Sequence, residues 1–435
     1  MNKTKTSKFL ATAAMALVAG FGGVELSAET IRIAEHRQAR IDALNAVIPA
    51  IEAKLDVDVE LIEYPAPEKD YLTKLLTELR AGNAPDLFTA PRGQDVADMV
   101  AAGYLAPIGS EVRDWEGYGD LFDVAKDLIT GADGEIHVLP NILSVQQIYF
   151  RRDVLEAAGI SSEQPADWAE LLERAKEIKD KTGQYALLFP SGLTWGGGAF
   201  GEGFGYLVLG SSTKQLANED GTLNLTDAGI KDVFGFYEEL IANDLMPIDP
   251  LLGPEPWIIP KYEMFPAGEL VATTCGTWCY IYDWGPQSRN PIPNVTSAVG
   301  TWAVPGKDGG QHVVVDIDSP WGVNSNALNV ELAKQVLLEI GSVESGVSYA
   351  TQIGNIPARR SAGDNAEFQK LEALVPIHKN ADGGTFLRTA TGFSVVSEGV
   401  ARATEALLRG EADAAGAQTI LVKYSRDLLG DEAVK

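Results

Sequence analysis

The sequence predicts an α/β protein, and three observations carry that prediction. Short apolar runs alternate with helix-period segments from residue 29 onward, turn signals mark each change, and composition is that of an ordinary globular chain. Of 435 residues, 45% are hydrophobic and 22% charged, with no repeat or low-complexity tract. The order strand, helix, strand, helix, strand implies a mainly parallel sheet covered on both faces. Ligands of such sheets sit beyond the carboxyl ends of the strands.

The first strand is marked by Ile31 and Ile33, and a helix of apolar spacing follows to Leu55. VDVELIEYP alternates as a second strand. Tyr71, Leu72, Leu75, Leu76 and Leu79 define one face of the next helix, which Gly82 and Asn83 close. A strand over 86–90 and a helix ended by Gly103 repeat the scheme. The loops Glu35–Gln38 and Pro91–Asp95 therefore fall at the ligand edge.

A second unit starts near Pro140. VQQIYFRRDVLEAAGI carries a strand and a helix. The next helix opens with Asp167 as N-cap and Glu170 three residues on, the pattern of a capping box. YALLF is a strand, and the stretch from Val271 turns from β-branched to aromatic. SPWGVNSNALNVELAKQVLLEIGS reads as strand, loop and helix. Two helices close the chain, the first marked by Val396, Val400, Ala403 and Leu407 and stopped by Gly410.

Ahead of all this, Lys3, Lys5 and Lys8 precede a small and apolar run, and Leu26-Ser27-Ala28 offers a cleavage site. That is the anatomy of a secretory signal peptide, residues 1–28, and places the mature protein in the periplasm. The first cysteine is Cys275, so no lipid anchor on a new N-terminal Cys is expected. Formal charge is −26, and becomes −28 without a leader holding three Lys and one Glu. Such an excess argues against nucleic acid and anionic membrane surfaces as partners.

Chemical motifs are sparse. GGGAFG (196–201) matches a dinucleotide fingerprint in form, yet Ser191, Gly192 and Trp195 separate it from the preceding strand. It reads better as a flexible loop that presents Trp195 and leaves room beside its ring. His36, His137, His312 and His378 are dispersed, so no metal site is expected, and no nucleophile elbow occurs. Cys275 and Cys279 have three residues between them, one more than the common redox and zinc spacing. In an oxidising compartment they form a short-loop disulfide or remain two buried thiols.

Seven phrases in order then resemble a known family. They are APDLF (84–88), DMVAAGYLAPI (98–108), GEIHVLP (134–140), IYFRRDVLEAAGI (148–160), DWAELLERAKEI (167–178), FPAGELVATTCGTW (265–278) and NIPARRSA (355–362). Together they resemble the extracellular solute-binding proteins, family 1, of carbohydrate ABC importers, the maltose-binding-protein-like cluster. The resemblance implies a periplasmic-binding-protein-like fold: two α/β lobes, a multi-strand hinge and a ligand cleft between them. The N-terminal lobe would take 29–139 plus 303–346, and the C-terminal lobe 140–302 plus 347–435. It implies capture of a sugar or sugar-like solute by lobe closure, a membrane permease and its ATPase as partners, a monomer, and neither catalysis nor a cofactor. Position by position, the implied substrate-binding residues are His36, Arg37, Gln38, Arg92, Asp95, Gln146, Trp195, Trp278, Asp318, Ser319, Trp321 and Arg388. A polyol, a cationic osmolyte, or an anionic solute held by Arg37, Arg92 and Arg388 would fit the same fold. A secreted carbohydrate-active enzyme is the reading from another class, and needs two carboxylates about 5–9.5 Å apart.

Overall fold

A computed structural model describes residues 29–90, 92–388 and 390–435. The signal-peptide reading and Pro91 lie outside the described residues. Strand β1 (Glu29–Glu35) leads into helix α1 (Gln38–Leu55), strand β2 (Val57–Glu63), helix α2 (Glu68–Ala81), strand β3 (Leu87–Thr89) and helix α3 (Gly93–Ala101). β1 pairs in parallel with both β2 and β3, as the alternation predicts. The predicted face of α2 holds in part: Tyr71, Leu75 and Leu79 are buried, while Leu72 and Leu76 are half-buried at its edge. Gly82 ends α2 in the left-handed conformation, φ 72°, which glycine adopts without steric cost.

Strand β4 (Val138–Leu139) is the edge of this first sheet. Two residues later β5 (Ile142–Arg151) opens a second sheet with β6 (Tyr185–Leu188) and β7 (Leu270–Gly276). Helix α4 (Trp168–Thr182) precedes β6, and the Asp167 carboxylate accepts from Glu170 N at 2.8 Å. The returning Glu170 bond goes to Ala166 N, one residue before the cap. Strands β8 (Val299–Trp302), β9 (Val304–Pro305), β10 (Gln311–His312) and β11 (Val314–Ile317) follow. β7, β8 and β11 all run antiparallel to β5, so only the β6–β7 pair in the second sheet is parallel.

The chain re-enters the first sheet at β12 (Trp321–Val323), between β3 and β4. Helices α5 (Val330–Ile340) and α6 (Val343–Ile353) follow it, and α6 packs along α1. Strand β13 (Ile356–Pro357) then pairs with β5, and α7 (Phe393–Leu408) and α8 (Ala414–Leu429) pack on each other. Three crossovers thus join the sheets, at 140–141, 318–320 and 354–355. The second and third fall later than the expected boundaries at 303 and 347. The physical reason is strand pairing: β11 stays hydrogen-bonded to β5 through Ile317, and α6 covers the first sheet's helix.

The crossovers are stitched together. Asn355 Nδ2 donates to Asp318 Oδ2 at 2.5 Å, Thr277 Oγ1 donates to Asn355 Oδ1 at 3.1 Å, and Ala358 N donates to Asn141 O at 3.0 Å. Arg40, on α1 and 1% exposed, donates to Asp318 Oδ1 at 2.6 Å.

Candidate ligand cleft

Two indoles lie near the cleft, Trp195 buried at 7% exposure and Trp278 half-buried, and each packs against a glycine. A Cβ on Gly198 would meet Trp195 Cδ1 at 2.4 Å, and one on Gly276 would meet Trp278 Cζ3 at 1.8 Å. The missing Cβ of Gly198 lets the Trp195 ring pack against the turn, and the ring is buried. The run itself is a tight helical turn, Gly197–Ala199, followed by a π-type turn over Phe200–Phe204, instead of a flexible loop. Its glycines let successive turns tighten against neighbouring backbone. The Lys261 ammonium stands over both rings, 5.5 Å from the Trp195 centroid and 5.9 Å from that of Trp278. Its partner is Glu202 Oε2, at 2.8 Å.

From Glu202 a chain of alternating charge crosses to the first sheet's loops. Arg92 Nη1 lies 3.5 Å from Glu202 Oε1, Arg92 Nε 3.1 Å from Glu68 Oε1, and Arg37 Nη2 2.9 Å from Glu68 Oε2. Burial raises the Glu202 and Glu68 carboxyls, but Lys261 and Arg92 outweigh it for the first, Arg92 and Arg37 for the second. Both stay below the usual range. A second bridge spans the cleft from Asp98 on α3. Its carboxylate accepts from Gly392 N at 2.6 Å and Ser394 N at 3.1 Å, and from the Ser394 hydroxyl. The first turn of α7 is therefore capped from the opposite lobe.

Residues 46–376 match the family described as bacterial extracellular solute-binding protein. The chain belongs to that family. A binding protein of Brucella abortus (strain 2308) is 27% identical over 179 residues, 40% of this chain and 40% of its own length. The match thus spans well under two thirds of that relative. The maltooligosaccharide ABC transporter solute-binding lipoprotein of Streptococcus pneumoniae is 24% identical over 328 residues, 71% of this chain and 68% of that one. Maltose-bound MalE3 of T. maritima shares the fold, with a TM-score of 0.75 at 18% identity, over 92% of this chain and 100% of that one. The two-lobed periplasmic-binding-protein architecture is confirmed by that likeness.

In this solute-binding protein the expected site residues separate into groups. Arg37, Arg92, Trp195 and Trp278 meet along the charge chain and the two indoles. Asp95 caps α3, accepting from Arg92 N at 3.2 Å. Burial, with Glu68 nearby, pushes its carboxyl up to about 7. Gln146 sits on β5, 4% exposed, with Oε1 unpartnered. Asp318 belongs to the hinge: burial works against its charge, but Arg40, then Arg37, hold the carboxyl down at about 2. Ser319 follows at the same crossover with φ 50°.

Four expectations need correction. Trp321 is 1% exposed on β12, a central strand paired with β3 and β4, so its ring packs in the interior. His36 is also interior: it stacks on Tyr71 at 4.3 Å, with Nδ1 3.2 Å from Glu35 Oε1. Gln38 reaches along the exposed face of α1 to Asp42. The Arg388 side chain is exposed, and its backbone N donates to Gln215 Oε1 at 2.8 Å.

Sequence reasoning missed Glu68, Glu202, Lys261 and Arg40. Glu68 reads as an ordinary acidic first-turn residue and Lys261 lies in no motif. Glu202 directly follows the glycine run, the one signal that was available. Cys275 and Cys279 are bonded, with Cα atoms 6.5 Å apart. With Asp283 they form a trio of donor atoms within 4.8 Å, and the bridge occupies both sulfurs. A larger surface groove, about 470 Å³, runs along α8 past Gln418 and Arg426 and includes none of the cleft residues.

Proposed function

We propose that this protein captures a sugar or sugar-like solute between its lobes and hands it to the permease of an ABC importer. One observation carries the reading: Trp195 and Trp278 each pack against a glycine beneath the Lys261 ammonium, at the end of a charge chain that reaches across the cleft. Indole covers the weakly apolar C–H face of a pyranose, and charged groups satisfy its hydroxyls. Stacking that buries about 50 Å² supplies only about 1.3 kcal/mol. Micromolar capture needs about 8 kcal/mol after ordering costs. Hydrogen bonds to charged partners, each worth about 1.5–3 kcal/mol, supply the remainder. Arg37, Glu68, Arg92, Glu202 and Lys261 are the groups so placed.

Similar proteins support the sugar class, since one relative is named for a maltooligosaccharide and one structural neighbour is maltose-bound. The protein acts as a monomeric receptor in the periplasm, freed by signal cleavage, and does no chemistry on its ligand. An anionic solute is disfavoured, because Arg37 and Arg92 already hold Glu68 and Arg388 lies outside the cluster. Thermal-shift screening across neutral sugars, oligosaccharides, polyols and sugar acids tests the reading. Stabilisation by a sugar, recovered unchanged by mass analysis after long incubation, is the expected result. No stabilisation by any sugar, or conversion of the bound one, would overturn it.

A further inference from the structure

The second lobe's wall of the cleft holds a cavity of about 40 Å³. That admits one small substituent, a few water-sized groups at most, and excludes a sugar ring. Phe200, Leu387 and Phe393 make its lining largely apolar, and Gln146, Tyr206 and Asp316 are its polar members. Gln146 faces Val314 and Asp316 faces Ser144 in the antiparallel β5–β11 ladder. Period-two alternation therefore puts the Gln146 and Asp316 side chains on one face.

These groups await a donor. Gln146 is 4% exposed and Tyr206 1%, and neither Gln146 Oε1 nor Tyr206 Oη has a hydrogen-bond partner. Asp316 Oδ1 accepts from Ile317 N at 2.8 Å. Among the described residues Asp316 has no ion-pair partner, although Lys261, Arg92, Arg37 and Arg40 all stand in or beside the cleft. Those four cations are already committed to Glu202, Glu68 and Asp318. Among the described residues Asp95, Asp283 and Asp316 form no ion pair, and Arg92 and Lys261 act on them only from a distance. A hydroxyl placed on Asp316 would give it a hydrogen bond and leave its charge unanswered in an apolar wall. An ammonium answers both.

Building on the sugar-binding reading, we propose that the solute carries a protonated amino group, which seats in this cavity on Asp316, with Gln146 Oε1 and Tyr206 Oη as its further acceptors. The ligand class is then amino sugars or aminated polyols. Burial, and after it the neighbouring Asp318, push the Asp316 carboxyl up to about 6, a strain that a bound cation relieves.

The test is calorimetry at pH 7.5 on matched pairs that differ only in –NH₃⁺ or –OH, such as glucosamine against glucose and aminodeoxy polyols against the parent polyols. At least one amino member binds tenfold or more tightly than its hydroxyl counterpart. Asp316→Asn abolishes that preference. Equal or better binding of every hydroxyl member, or a preference that survives Asp316→Asn, overturns the proposal while leaving sugar binding intact. Binding of neither member of any pair, nor of any oligosaccharide, removes the sugar reading and this inference with it. If Asp316→Asn fails to fold, Gln146→Leu replaces it: amino-member affinity falls at least threefold more than hydroxyl-member affinity, and equal losses overturn the proposal.

Discussion

Asp98 of the first lobe accepts the backbone N–H of Gly392 at 2.6 Å and so caps a helix of the second lobe. A cap is worth about 0.5–2 kcal/mol. Because the partners lie on opposite lobes, that energy favours the closed form over the open one. Asp98→Ala should enlarge the ligand-free protein in small-angle scattering and weaken ligand binding by about threefold to tenfold. Unchanged size and affinity would mean that the contact does not bias closure.

At the hinge, buried Arg40 is paired with half-buried Asp318. Removing the cation strands a buried charge, at a cost of about 3–5 kcal/mol. Arg40→Met should lower stability in urea at pH 7 by that order, and adding Asp318→Asn should restore part of it. Equal stability of Arg40→Met and wild type would contradict the assigned pairing.

Acid and neutral pH should act in opposite senses. Asp318 is held low, so its contribution is present above its unfolded value of 3.8 and disappears as pH falls to about 2. Asp95, Asp283 and Asp316 are held high, at about 7, 6 and 6, by burial in each case. These three carboxyls therefore bind more protons in the folded than in the unfolded chain between pH 4 and 7, and their contribution declines as pH rises through that window. The ligand-free Tm should be higher at pH 5 than at pH 8, by about 5 °C. Asp95→Asn should flatten the slope, and a Tm that climbs from pH 5 to pH 8 would show the carboxylates to be ionised throughout.

Gly276→Ala tests the indole platform without deleting it. The added methyl overlaps the Trp278 ring, which must swing away. Ligand affinity should fall at least tenfold, with a shifted tryptophan emission and little change in circular dichroism. Retained affinity would place the ligand elsewhere.

Thiol titration of the unfolded, unreduced protein should find no free cysteine, because Cys275 and Cys279 are bonded. So short a loop stabilises by about 2 kcal/mol, and Cys275→Ser with Cys279→Ser should lose about that much. Two titratable thiols in protein from an oxidising compartment would exclude the bridge.

The fold was legible because periodicity and turn chemistry are local. Tyr71, Leu75 and Leu79 announce α2, Gly82 announces its end, and Gly103 announces the end of α3. Crossover positions were less so, since only pairing with β5 reveals that Val314–Ile317 belongs to the second sheet. At the site, Arg37, Arg92, Trp195 and Trp278 were readable from loop position. Their partners were not: Glu68 and Lys261 are ordinary surface residue types, placed in the cleft only by tertiary packing. Trp321 misled for the converse reason, a cleft-like loop motif whose ring turns into a central strand.

The central claim is that two lobes close on a solute held at Trp195 and Trp278. Small-angle scattering with and without a stabilising sugar, on wild type and on Trp278→Ala, tests it most directly. The account predicts a smaller radius of gyration on saturation for wild type, and at least tenfold more sugar needed for the variant. Tight binding with an unchanged radius, or equal response of the two proteins, would contradict it.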